Sequence, residues 1–196
     1  MSYSQNAEEQ HILEYFKDQP TGRFLDIGAF DVFKFSNTRA LFEKGWGGIL
    51  VEPVPALYKA IADHYSPYQN IEVLNCAVGD RGGEIDFFES EDAVSTSNAA
   101  HAAKWTAGGV QYKMSKVNQV NTHDFFNQYG KGIDFLSIDT EATNIDVFRM
   151  IPDWVFEQIK MICIEHDNNE DEIETRLKKF GFTTHHINAE NIILGK

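Results

Sequence analysis

Four apolar runs in this chain end in carboxylates, and those carboxylates are where chemistry can be done. Phe24-Leu25-Asp26-Ile27-Gly28-Ala29-Phe30-Asp31 carries an acid into a glycine turn. About twenty residues on, Gly48-Ile49-Leu50-Val51-Glu52-Pro53 ends in a single carboxylate. Ile133 to Ile138 leads into Asp139-Thr140-Glu141, and Met161 to Ile164 into Glu165-His166-Asp167. The two oxygens of Glu52 can each accept a ribose hydroxyl; taken alone, a helix-capping or solvated acid explains it equally. Asp139 and Glu141 can hold a cationic amino group, position an acceptor, or take a proton, against the plainer reading of a solvated turn. His166 can act as a general base. A divalent cation shared by the two later tips is a weaker reading, because nothing in the sequence fixes ligand number or direction.

The first turn narrows the ligand. A dinucleotide site needs Gly-x-Gly-x-x-Gly so that a pyrophosphate can sit on a helix N-terminus. Only Gly28 is present; Phe30 and Val32 stand where further glycines belong, and Asp31 places negative charge where a phosphate would approach. A nicotinamide dinucleotide is therefore disfavoured, and an uncharged or cationic ligand fits better. S-adenosylmethionine qualifies, with a ribose, an adenine, a sulfonium and no phosphate. The small residues of Asn75-Cys76-Ala77-Val78-Gly79-Asp80 let backbone amides approach an adenine.

Strand and helix alternate along the chain, which predicts an α/β fold: a mostly parallel sheet covered on both faces, with ligands outside the carboxyl ends of the strands. Helices are expected over 6–17, 39–44, 55–65, 144–150 and 169–180. Strands are expected over 24–27, 49–51, 71–78, 133–138 and 161–164, with 182–187 and 191–194 closing the sheet. Residues 84–88 read as a hairpin-like extension and 111–120 as extended chain. Thr122 reads as the cap of a short helix to Tyr129. Residues 89–109 are polar, small and aperiodic, so they are expected to be a loop acting as a lid over the acceptor, with Trp105 stacking on a ring or packing the loop down.

The 196 residues suit one domain spanning 1–196. The absence of a leading signal pattern and of a long apolar run predicts a soluble, cytoplasmic chain with no membrane partner. A net charge of −13 argues against a sequence-independent grip on nucleic acid. Cys76 and Cys163 each lie in an apolar run and read as buried, reduced thiols. His185 and His186 read as structural or exposed.

These motifs, taken in order, resemble the FkbM-type family of S-adenosylmethionine-dependent methyltransferases. The resemblance is carried by Phe24 to Ala29, Ser36-Asn37-Thr38, Gly45-Trp46-Gly47-Gly48, Val51-Glu52-Pro53, Ser95-Thr96, Ile133 to Glu141, Ile164-Glu165-His166 and Gly181-Phe182. Ser4-Gln5 and Asn188 to Ile192 extend it to both ends. It implies a Rossmann-like three-layer αβα sandwich with seven strands in the order 3-2-1-4-5-7-6 and the seventh antiparallel. It also implies a cofactor cradle of Asp26, Ile27, Gly28, Ala29 and Phe30, with Glu52 and Pro53 at the ribose and Ala77 and Val78 beside the adenine. Ser36, Asn37 and Thr38 would border the methionine end, and Asp139 and Glu141 the reacting centre. Val32 and Ala142 replace glycines common in the family.

The reaction so implied is O-methylation of a hydroxyl on a sugar or small metabolite, by direct displacement at the sulfonium methyl, with S-adenosylhomocysteine as product. An activated donor leaves in-line positioning and proton removal as the main demands. Asp139, Glu141 and His166, in that order, are the candidate bases. The alternative, motivated by Phe30, Val32 and Ala142, is a catalytically silent binding module with the same fold.

Overall fold

The computed structural model describes residues 2–196. Its first half runs α1 (Glu8–Tyr15), β1 (Arg23–Ile27), α2 (Arg39–Glu43), β2 (Gly47–Val51), α3 (Pro55–Tyr65), β3 (Ile71–Leu74), β4 (Ala77–Gly79) and β5 (Gly83–Glu89). The second half runs α4 (Ala99–Ala107), β6 (Lys113–Asn121), α5 (Thr122–Tyr129), β7 (Phe135–Ile138), α6 (Asn144–Met150), α7 (Asp153–Gln158), β8 (Met161–Glu165), α8 (Glu170–Lys178), β9 (Thr183–Ile187) and β10 (Asn191–Gly195).

Seven strands form one sheet in the order β3-β2-β1-β7-β8-β10-β9. The pairs from β3 to β8 are parallel, while β10 runs antiparallel to both β8 and β9. This is the expected seven-stranded topology. β1, β7 and β8 are near-continuous apolar runs because both of their faces are covered. Alternate side chains feed two cores. Leu25, Ile27, Leu136, Ile138, Ile162 and Ile164 pack beneath the helices carrying Phe126, Phe148 and Leu177. Phe24, Phe135, Met161 and Cys163 face Ile12, Phe16, Leu41 and Ile61 on the other side. Among the described residues no helix is long and apolar enough to cross a membrane.

A second, three-stranded sheet, β4-β6-β5, sits over one end of the strand tips. Here the structure corrects the expected third strand. Residues 71–78 do not form one strand: the chain breaks after Leu74, and 77–79 leave to pair with β6. The Asn75 side chain explains the break, since its Nδ2 donates to the carbonyls of Glu52 (2.9 Å) and Pro53 (3.0 Å) and so folds the chain back over the end of β2. The hairpin-like extension is β5, which pairs antiparallel with the whole of β6.

Three further differences are local. Segment 89–109 is not all loop: α4 occupies 99–107, capped by Asn98 Oδ1, which accepts from Ala100 N and His101 N. Its alanines favour helix without any apolar stripe. Asn121, not Thr122, caps α5, and the Thr122 hydroxyl instead donates to Gly79 O at 2.9 Å. Pro152 ends α6 but also starts α7, the N-terminal role that proline's fixed φ suits.

Candidate active site

The tips of β1, β2 and β7 meet at an open cleft. Its floor depends on Gly28, at φ +93°. Gly28 N and Ala29 N both donate to Val51 O at 3.0 Å, and Asp139 N donates to Ile27 O at 2.9 Å. A Cβ on residue 28 would stand 1.7 Å from Asp139 O, so only glycine lets the two turns touch. Leu57, Val78 and Phe87 give the cleft apolar walls, and Glu52, Gln119, Asp139 and Glu141 its polar groups.

Glu52 is buried and held by backbone: Phe30 N donates to Oε2 at 2.9 Å and Val54 N to Oε1 at 2.8 Å. Each oxygen keeps a second acceptor direction for a ligand hydroxyl. Burial raises its pKa to about 7, partly offset by those two hydrogen bonds. Phe30 accepts a left-handed φ of 52°, placing its ring nearly parallel to Phe35, with the Lys34 ammonium over both.

The expected cradle residues divide. Ile27, Gly28, Phe30, Glu52, Pro53, Ala77, Val78, Asp139 and Glu141 line the cleft. Asp26, Ala29, Ser36, Asn37, Thr38 and His166 are not among its walls. Asp26 points from β1 to the face opposite Leu25 and Ile27, where Thr38 Oγ1 donates to its Oδ2 at 2.7 Å. Asn37 Nδ2 lies 3.3 Å from Ser137 Oγ. This buried network pins turn 36–38 to the sheet from below. Burial raises Asp26 to about 6.

Asp139 lies beside Glu165, its pKa raised well above the ordinary range by burial and then by the Glu165 and Glu141 charges. Glu165 rises to about 7 for the same reasons, burial first and then Asp167. Asn144 Nδ2 bridges Glu165 Oε2 (2.5 Å) and Asp167 Oδ2 (3.1 Å), which relieves part of the crowding. Asp139 Oδ1 has no hydrogen-bond partner. Glu141 is raised to about 8, chiefly by burial and then by Glu165. Among the described residues no cluster has the makings of a metal centre.

His166 is occupied elsewhere. Its Nδ1 accepts from Asn168 N at 3.1 Å and its Nε2 lies 3.2 Å from Asn188 O, tying the end of β8 to the β9–β10 turn. His101, which the sequence did not single out, instead stands 3.0 Å from Glu141 Oε2. Gln119 and Phe87 are likewise cleft residues found only in three dimensions. The signal that could have found His101 was the Asn98 cap before an alanine-rich run. Cys76 lines the cleft with its thiol pushed up to about 11 by burial, so it is no nucleophile near neutral pH.

Sequence and fold place this arrangement in a known class. Residues 26–189 match the methyltransferase FkbM domain, and the chain belongs to that family. The fold is also that of solved methyltransferases. It resembles a methyltransferase FkbM from Methylobacillus flagellatus KT, with TM-score 0.60 and 9% identity over 90% of this chain and 44% of that one. This chain therefore spans less than half the length of that relative. It also resembles the putative methyltransferase yhhF from Escherichia coli, with TM-score 0.51 and 10% identity over 100% of this chain and 88% of that one. No curated protein matches it in sequence.

Proposed function

We propose that the cleft holds S-adenosylmethionine and that the chain transfers its methyl group to a hydroxyl of a sugar or small metabolite. The observation that carries this reading is the pair of carboxylates, Glu52 and Asp139, facing one cleft from either side of the Gly28 turn. The residues fit the cofactor: Glu52 has spare acceptor directions for both ribose hydroxyls, Val78 and Leu57 offer flat apolar contact, and Asp139 Oδ1 lacks a partner that an ammonium would supply. A diphosphate finds no such welcome beside the carboxylates of Glu52, Asp139 and Glu141.

When bound, the cofactor supplies a methyl group already activated on sulfur. The chain's own task is to orient the acceptor oxygen, keep water out and hold its proton. Glu141, with a pKa raised to about 8, suits proton acceptance at mildly alkaline pH, where its carboxylate form is populated. Asp139 orients the reacting end beside it.

Incubation with labelled S-adenosylmethionine and a panel of monosaccharides, polyols, amines and carboxylates tests the reading. Label should enter hydroxyl compounds. A chain that binds S-adenosylhomocysteine yet labels none of them is the silent module instead; transfer confined to amines would overturn the hydroxyl assignment.

A further inference from the structure

Segment 96–101 is tied to the turn after β7 by three side chains. Thr96 Oγ1 donates to Glu141 O at 2.7 Å, and Asn98 Nδ2 donates to Ala142 O at 3.4 Å. His101 Nε2 stands 3.0 Å from Glu141 Oε2. Asn98 also caps α4, so the helix that carries His101 starts from a residue already anchored to that turn. The turn holds an uncommon shape, with Glu141 at φ 52° and Ala142 at φ 68°. Two successive non-glycine residues in the left-handed region persist only where surroundings over-determine them.

The distance and the direction of the His101 contact differ. Nε2 is buried and close to Oε2, yet it has no aligned hydrogen-bond acceptor. A buried donor at contact distance from one carboxylate calls for an explanation. The terminal carboxylate torsion is soft, and a modest turn about it aligns the pair. Catalytic hydrogen bonds commonly tighten in this way only when the site is loaded.

We propose that His101 is the positioning residue of Glu141: from α4 it holds Oε2 and leaves the other oxygen to receive the acceptor's proton. Its geometry stands independently, while its purpose rests on the methyl-transfer reading of the cleft. The groups facing Glu141 are Asp139 from the end of β7, Glu165 from β8, Asp167 beyond it, Glu190 from the β9–β10 turn and Asp92 from the segment before α4. All are acids, so they favour the protonated, non-basic form. His101 is the donor that opposes them. Lys104 and Asp167 are the charges facing His101, and burial lowers its own pKa, so it is neutral and donates one N–H. Tyr112, whose hydroxyl donates to Val94 O, also lies in the field of Glu141.

Carboxyl and imidazole NMR titrations of the full chain test this without any acceptor. They compare wild type with His101→Leu and His101→Gln, each with and without S-adenosylhomocysteine. We expect His101 to be neutral with its proton on Nε2. The Glu141 midpoint should rise by about one unit, a tenfold change in proton affinity, in His101→Leu. His101→Gln, whose amide reaches the same oxygen, should restore it to near the wild-type value. Should His101→Leu not fold, His101→Asn, with an amide too short to reach Oε2, takes its place. Equal midpoints in wild type and the Leu or Asn variant, or a proton on Nδ1, would overturn the proposal. Absence of S-adenosylhomocysteine binding in every chain would count against the methyl-transfer reading, while the ligand-free titrations still decide the dyad.

Discussion

Gly28→Ala is expected to force apart the two turns that meet beneath the cleft. The new Cβ would stand 1.7 Å from Asp139 O and 2.7 Å from its carbonyl carbon. Separations below 3.0 Å are essentially never kept by real Cβ atoms, so the turns must part by about 1.3 Å. Three backbone hydrogen bonds resist that movement, two to Val51 O and one to Ile27 O. A left-handed φ costs an alanine about 1–2 kcal/mol, and overpacking adds about 1–3 kcal/mol. The loss should be on the order of 2–5 kcal/mol, a large share of a domain's stability. Urea unfolding measures it as a lower midpoint at unchanged slope. Because Asp139 moves with the turn, S-adenosylhomocysteine affinity should fall at least about tenfold as well. A variant within about 0.5 kcal/mol of wild type, binding normally, would refute the claim that contact demands glycine here.

Stability should fall as pH rises. Burial lifts Asp26 to about 6, Glu52 and Glu165 to about 7 and Glu141 to about 8. From about pH 4.5 to pH 8 the unfolded chain has released protons that the folded chain keeps, so raising pH favours unfolding. Glu8 and Asp134, lowered in the fold, act oppositely at more acid pH, and His11, His64 and His101, also lowered, oppose the trend below about pH 6.5, where the four raised acids outnumber them. Thermal melts should therefore show a higher Tm at about pH 5.5 than at about pH 8, and the reverse order would contradict the burial of these acids. Ala142→Gly should raise stability by up to about 1 kcal/mol in chemical denaturation, since it relieves a left-handed alanine at some entropic cost. Asp139→Asn should lower turnover of any labelled hydroxyl acceptor more than about tenfold, and unchanged turnover would remove Asp139 from the reacting centre.

The sheet was legible because β1, β7 and β8 are buried on both faces and so read as uninterrupted apolar runs ending in acids. The Gly28 turn and Glu52 could be paired by spacing alone, since a β-α-β unit fixes how far apart successive strand tips fall. The sequence did not show which way a tip residue points. Asp26 and Ile27 are neighbours, yet one side chain goes beneath the sheet to Thr38 and the other lines the cleft. His166 and His101 make the same point across a longer distance. The first sits in a promising motif but turns its nitrogens to Asn168 N, Asn188 O and the Glu170 carboxylate, and the second sits in an alanine-rich segment and reaches Glu141. The missing glycine at Ala142 changed less than its residue type suggested, because the turn keeps a positive φ with an alanine in place. Asn75 broke the third strand through side-chain bonds to carbonyls, a contact no periodicity encodes.

Calorimetric titration of S-adenosylhomocysteine into the wild-type chain and into Glu52→Gln tests the central claim most directly. The wild type should bind one equivalent. Glu52→Gln loses the carboxylate that would accept both ribose hydroxyls, and its affinity should drop by about tenfold to a hundredfold, the worth of a charged hydrogen bond. No binding to the wild type, or equal affinity in the two chains, would contradict the assignment of this cleft to S-adenosylmethionine.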